Sequence, residues 1–337
     1  SERLRHSIIS DIPDLGTAAN YYFKKGREGK RMRPTMLMLM ASSLSREEAT
    51  DAFLSVDVRP ASAYPHELRR RQQRIAEVSE MIHVASLLHD DVIDTASTRR
   101  GLKALNVTMG NKLAILAGDY LLARASVTLA SLNEIEPVAL MSQVIEHLVS
   151  GEIIQLRSTS SNAGEFDHNA AMQQYDLKTY YKTASLPANS ARSVAVLAGC
   201  SPDVCDLAQA YGRHLGMAFQ ITDDVLDFTS TASMLGKPAL NDLSSGLTTA
   251  PVLYAAQEFP ELIPMIQRSY KSAGDVQAAV QLVNRSQGIQ KSLEAAAKQA
   301  DLACEAIDAL PAAETEHASV CRSALKTLTE AVLTRKK

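Results

Sequence analysis

Apolar residues recur every three to four positions along most of this chain, and no convincing set of alternating strands appears, so the pattern predicts helices. The stretch 34–45 (PTMLMLMASSLS) opens on Pro34, which suits a first helical turn, and continues in good helix formers. Long amphipathic helices are predicted over 72–94, 111–132 and 137–157, then over 169–199 with a break or bend near Pro187. Further helices are expected at 203–230, 247–257, 259–271, 273–285, 289–309 and 314–334. Two stretches read as connections: 55–68 (SVDVRPASAYPHEL), with two prolines, and 158–167 (STSSNAGEFD), a polar Gly/Ser/Asn run. Neither coincides with a shift in composition. The expected architecture is one all-α domain over 1–337 with ten or more helices, too many for a simple four-helix bundle.

Composition changes this picture little. Apolar residues are 46% of the 337 and charged residues 22%, an ordinary globular balance. A formal charge of −3 gives no net attraction to nucleic acid, and none is expected as a partner. No uncharged apolar run approaches the ~18 residues of a membrane span, so no transmembrane segment is expected and the protein reads as soluble or peripheral to a membrane. The sequence opens SERLRHSII, with neither Met nor an apolar signal core. A mitochondrial location is expected if a targeting peptide has been removed, and a cytoplasmic one otherwise. Cys200, Cys205, Cys304 and Cys321 show no CxxC spacing and read as reduced thiols inside a cell.

Two of the predicted helices end an apolar run in the same carboxylate trio. MIHVASLLHDDVID (81–94) carries Asp90, Asp91 and Asp94; FQITDDVLDF (219–228) carries Asp223, Asp224 and Asp227. Three like charges within five residues weaken a helix, so the repeat calls for a partner that cancels them. By helical spacing His83, Asp90 and Asp94 line one side with Asp91 at its edge, and Gln220, Asp223, Asp224 and Asp227 share a face. Hard oxygen ligands so arranged suit Mg²⁺, which binds a few carboxylates, waters and substrate phosphate; the histidines and cysteines that zinc wants are missing. A lone DDxxD is more often a solvated helix face. Here both copies are followed by cations, Arg99 and Arg100 after the first and Lys237 after the second, which is what a magnesium–diphosphate site needs.

Other basic stretches agree. GREGKRMRP (26–34) sets Lys30, Arg31 and Arg33 before a helix start, without a Walker A pattern; alone it would read as a solvated basic patch as often as an anion site. KTYYKTAS (178–185) sets Lys178 and Lys182 one turn apart, with Thr183 beside them. His89, next to Asp90, suggests the His-Asp pair of a metal phosphohydrolase, but that class leaves the second trio and KRMRP unexplained. A histidine supporting the metal carboxylates is the better reading.

Taken in order, GKRMRP, EMIHVASLLHDDVIDTASTRRG, GNKLAILAGDYLLARA, KTYYKTASL, GMAFQITDDVLDF and GKPALNDLSSGLTTAPVLYA cover nearly the whole chain. They resemble the trans-isoprenyl diphosphate synthases, in the polyprenyl, head-to-tail branch of solanesyl and decaprenyl type. The resemblance implies the isoprenoid synthase fold, helices around a deep central cavity in which two Asp-rich helices face each other and hold Mg²⁺ against an allylic diphosphate. It implies a homodimer, or a heteromer with a related subunit. Carried over residue by residue, Lys30, Arg33, His83 and Arg100 match the positions that hold isopentenyl diphosphate. Arg99, Lys182, Thr183, Gln220 and Lys237 match contacts to the allylic diphosphate. Asp90 and Asp94 match the principal metal ligands of the first motif; Asp223 leads the second, with Asp224 and Asp227 supporting metal and water and Asp91 completing the set. Departures from the family pattern are the longer GREGKR turn, Pro187, and the extended 55–74 segment, none of which removes a ligand position.

The implied chemistry is ionisation of the allylic C–O bond, attack by the isopentenyl double bond on the allylic cation, and loss of a proton to the departing diphosphate. No nucleophilic Ser or Cys is required. Ala85 and Ser86 are small where bulky aromatics close the cavity of short-chain members, which argues for a medium or long product of the kind used in quinone side chains. By rotation alone position 85 lies off the aspartate face, so its access to the cavity rests on the resemblance. A short-chain farnesyl or geranylgeranyl synthase is the serious rival. A terpene cyclase would carry a different second motif, and a non-catalytic subunit would show broken trios.

Overall fold

The computed structural model describes residues 5, 8–23, 31–44, 65–99, 101–158, 166–229 and 240–335, and these are overwhelmingly helical. A short helix α1 (Pro13–Ala19) leads through a 3₁₀ turn (Tyr21–Phe23) towards α2 (Met32–Ser43). The long α3 (Pro65–Ile93) ends beside a minimal antiparallel hairpin, β1 (Thr98–Arg99) and β2 (Leu102–Lys103), in which Arg99 faces Leu102. Then come α4 (Leu105–Met109), α5 (Asn111–Ala130) and α6 (Ile135–Ser158). Helix α7 (His168–Thr179) runs through a π turn (Tyr180–Ala184) into α8 (Ser185–Leu197), followed by α9 (Pro202–Thr229). The rest is α10 (Asn241–Ser244), α11 (Ala250–Ala256), α12 (Leu262–Gln267), α13 (Asp275–Arg285), α14 (Gly288–Asp308) and α15 (Glu316–Thr334).

The chain forms two compact units. The first comprises Ser1–Gln143, Leu186–Gln209 and Ala306–Lys326; the second comprises Val144–Ser185, Ala210–Glu305 and Thr327–Lys337. In the first unit α3 packs along α5 and against α2. Ile75, Val78, Met81, Ile82 and Leu88 recur at helical spacing on α3 and are buried, with Met36, Leu37 and Met40 from α2 also in the core. Each such side chain contributes about 1.5–3 kcal/mol by leaving water. Helix α5 answers with small residues, Ala114, Ala117 and Gly118. A methyl group on Gly118 would lie 2.2 Å from Nε2 of His89, so the approach of these two helices requires glycine there. In the second unit one cluster joins Leu243, Val252, Ala255, Leu262, Tyr270 and Val283, and another joins Tyr175, Ile221, Leu253 and Ala296.

Several boundaries differ from those the pattern predicts. Helix α3 begins at Pro65, seven residues before 72, because a proline suits the first turn and the polar PHELRRR continues the helix without apolar periodicity. Pro34 is the third residue of α2, tolerated because a first-turn amide has no intrahelical acceptor anyway. Near Pro187 the helix neither breaks nor stops. Proline crowds the carbonyl four residues back, here Thr183, and the helix widens into the π turn at 180–184, where the Ser185 amide donates to the Tyr180 carbonyl. The 158–167 connection ends at Asp167, whose carboxylate accepts the Asn169 and Ala170 amides and caps α7. By length and composition alone α5 is long and apolar enough to cross a membrane, but Asp119 and Arg124 interrupt it, so it is not the uncharged run whose absence the sequence indicated. All four cysteines are thiols.

Candidate active site

The first trio sits at the end of α3, and its three carboxylates do different work. Asp90 is partly exposed and Asp94, one turn on, is exposed. Asp91 is fully buried: the Tyr22 hydroxyl donates to its Oδ2 at 2.7 Å, and Arg99 donates to its Oδ1 from Nε at 2.8 Å and from Nη2 at 2.6 Å. The helix then stops sharply. Thr95 takes a left-handed φ of 50°, and the Ala96 amide closes back on the Asp91 carbonyl at 2.9 Å. A β-branched residue is strained there. Asn106 holds the turn by donating to the carbonyls of Asp91 (3.0 Å) and Ala96 (3.1 Å). His89 packs on Gly118, its Nε2 3.2 Å from the Ile115 carbonyl and 3.4 Å from Asp119, and so supports α3 against α5 beside Asp90.

The second trio, on α9, repeats this division. Asp223 keeps an accessible carboxylate, whereas Asp224 and Asp227 are buried. Asp224 accepts from the Tyr175 hydroxyl at 2.6 Å and from Gln220 Nε2 at 2.8 Å, and Gln220 Oε1 in turn accepts from the Thr183 hydroxyl at 2.8 Å. Burial, aided by repulsion from Asp242, pushes the Asp224 carboxyl up to about 7, against its two hydrogen bonds and the charge of Lys178. Lys178 is half-buried, and loss of water lowers its ammonium below the usual lysine range while Asp224 works to raise it. Asp227 accepts the Asp242 amide at 3.2 Å. Within the two trios, Asp91, Asp224 and Asp227 are the buried carboxylates and oxygens of all three accept protein donors, whereas Asp90, Asp94 and Asp223 keep accessible surface.

The π turn delivers Lys182 and Thr183. Lys182 Nζ pairs with Glu152 and donates to Gln155 Oε1 at 3.1 Å, both on α6. Gly151 makes the approach feasible, since a Cβ there would come within 2.6 Å of Lys182 Cγ. Glu152 and Gln155 went unremarked in the sequence, although a Glu and a Gln three apart inside the apolar run GEIIQL were a usable signal. Tyr22, Asn106 and Tyr175 left none.

Of the remaining candidates, Arg33 lies in the first turn of α2 and His83 is half-buried on α3, two turns before Asp90. Lys30, Arg100 and Lys237 lie outside the described residues. Ala85 is fully buried, whereas Ser86, one turn before Asp90, keeps accessible surface, as do His83 and Leu87. The accessible stripe of α3 thus runs through position 86 and not 85. A surface pocket of about 350 Å³, lined by Glu67, Arg70, Arg71, Arg74 and Ser131–Glu134, lies at the other end of α3 and contains none of the motif residues.

Among the described residues no three carboxylate, imidazole or thiol groups converge to hold a metal alone. Asp90 with Asp94, and Asp223, offer one or two accessible hard oxygen ligands per trio. That donor set fits Mg²⁺, which takes few protein ligands and completes its shell with water and phosphate.

Residues 13–283 match the family model for polyprenyl synthetase. The chain is 50% identical over its full length, and over 76% of the relative, to solanesyl-diphosphate synthase 1, mitochondrial, of Oryza sativa subsp. japonica. It is similar to the apo form of an Arabidopsis medium/long-chain length prenyl pyrophosphate synthase, 40% identical with a TM-score of 0.76, covering 100% of this chain and 95% of that one. It is also similar to a polyprenyl synthase from Caulobacter crescentus CB15 complexed with calcium and isoprenyl diphosphate, 29% identical with a TM-score of 0.81, covering 100% and 94%. The all-α architecture is the isoprenoid synthase fold of these neighbours. With two acidic trios, a buried carboxylate bracing each, and this likeness along its whole length, the chain belongs to the polyprenyl synthetase family.

Proposed function

We propose that the protein is a head-to-tail prenyltransferase that condenses isopentenyl diphosphate with an allylic diphosphate to give a medium- or long-chain all-trans polyprenyl diphosphate for a quinone side chain. One observation carries this reading: both trios keep accessible carboxylates in a chain half identical to a solanesyl-diphosphate synthase. Asp90, Asp94 and Asp223 would hold Mg²⁺, which when bound neutralises the diphosphate and favours its departure. Lys182, Arg99, Lys237, Thr183 and Gln220 are assigned to the allylic diphosphate. Arg99 directs Nε and Nη2 at Asp91 and keeps further donors for phosphate; Lys182 exchanges Glu152 for the leaving group. Lys30, Arg33, His83 and Arg100 anchor isopentenyl diphosphate. The released diphosphate takes the final proton.

Residues 1–337 are assigned as one polyprenyl diphosphate synthase domain. The outward face of α5, with Ile115, Leu116 and Val127 exposed, is covered by a second copy of the chain or a related subunit. The mitochondrial rice relative favours a mitochondrial location. The test is incubation with labelled isopentenyl diphosphate, an allylic primer and Mg²⁺, with products resolved by chain length. Long linear prenols are expected after dephosphorylation. Products stopping at geranylgeranyl would reject the long-chain assignment, a cyclised hydrocarbon the transferase assignment, and no incorporation would leave a non-catalytic subunit.

A further inference from the structure

Just beyond α15, Arg335 reaches the second trio. Its Nη2 donates to the Phe219 carbonyl at 2.9 Å and to Asp223 Oδ1 at 3.1 Å, and the guanidinium lies 3.8 Å over the Phe219 ring. The Arg335 side chain is 12% exposed and that of Asp223 40%. Asp223 is the one carboxylate of its trio turned towards solvent, and Arg335 is paired with it. The pair is incomplete: Nε of Arg335 is buried with no hydrogen-bond partner, so the guanidinium is held by only part of its donor fork. A purely structural brace would be expected to use that donor, as Arg99 does on Asp91.

From this geometry we propose that Arg335 is a resident counter-ion for Asp223, occupying the carboxylate in the metal-free protein and yielding it when a divalent cation binds. The inference rests on the reading of Asp223 as a metal ligand. A monocation and a divalent cation compete for one carboxylate, and the ion with twice the charge displaces a partly satisfied guanidinium. Metal loading then frees the Arg335 side chain, so the end of α15 reports on occupancy of the second trio.

The probe is Mn²⁺, titrated without substrate into the full chain and followed by the loss of its free-ion spin-resonance signal, in parent, Arg335→Gln, Arg335→Lys and Asp223→Asn proteins. Arg335→Gln should bind Mn²⁺ roughly two- to fivefold more tightly, the gain from removing one partly buried ion pair. Arg335→Lys, which restores the charge, should return towards parent affinity. In the parent, hydrogen exchange over residues 330–335 should quicken when Mn²⁺ is added. Equal affinity in parent and Arg335→Gln, or exchange that does not respond to Mn²⁺, would overturn the proposal. Asp223→Asn separates the two failures. If it leaves Mn²⁺ binding intact, the metal reading of the trio falls and this proposal with it; if it weakens binding while Arg335→Gln matches the parent, only the counter-ion role falls.

Discussion

About 100° of helical rotation separates Asp90 from Asp91, and with it the exposed carboxylate from the buried one. Asp91 holds Tyr22 and Arg99, so Asp91→Ala strands a hydroxyl and a guanidinium and should lower unfolding free energy by about 1–3 kcal/mol. Asp90→Ala should leave stability within about 0.5 kcal/mol and abolish turnover. Urea unfolding and product assays on the same preparations check both, and equal loss of stability in the two variants would contradict the division of labour. Product length is a residue-scale question too. Ser86→Phe projects a ring from the accessible stripe of α3 and should shorten the product, while Ala85→Phe fills a packed position and should cost about 1–3 kcal/mol with less effect on length. Chromatography of the dephosphorylated products decides between them; unchanged length in Ser86→Phe would remove that stripe from the path of the growing tail.

At the scale of elements, the π turn between α7 and α8 places Lys182 and Thr183, and α6 receives it only because residue 151 is glycine. Gly151→Ala should push the turn away by a few tenths of an ångström. We expect a stability loss of about 1–3 kcal/mol and a fall in kcat larger than the change in KM for isopentenyl diphosphate, because the displaced lysine serves the leaving group. A selective rise in the isopentenyl diphosphate KM would assign Lys182 to the other substrate. Pro187 announced a disturbance in the sequence, and the helix widened ahead of it without breaking; the direction of that response depends on the carbonyl four residues back and not on proline propensity.

For the whole molecule, α5 is the element whose surface is hardest to explain in isolation. Leu116 is 57% exposed and Val127 60% exposed on a helix whose other side packs on α3. The double substitution Leu116→Glu with Val127→Glu should shift the protein to monomer in light scattering while leaving its helical circular dichroism intact. A parent protein that is already monomeric would remove the proposed subunit contact. The same exposed face makes α5 pass for a membrane span by length and composition, since hydropathy does not distinguish lipid from a protein neighbour.

Helix positions, both acidic trios and the family were legible in the sequence, because each is written in neighbours: apolar residues three and four apart, carboxylates within five positions, cations just beyond them. Which of the six carboxylates stays in water was not. Asp91 is settled by Tyr22, 69 positions away; Asp224 by Tyr175, 49 away; and the partner of Asp223 is Arg335, 112 away. Spacing along a helix fixes which residues share a face, but burial and pairing depend on what the rest of the chain brings to that face, and only tertiary folding brings it.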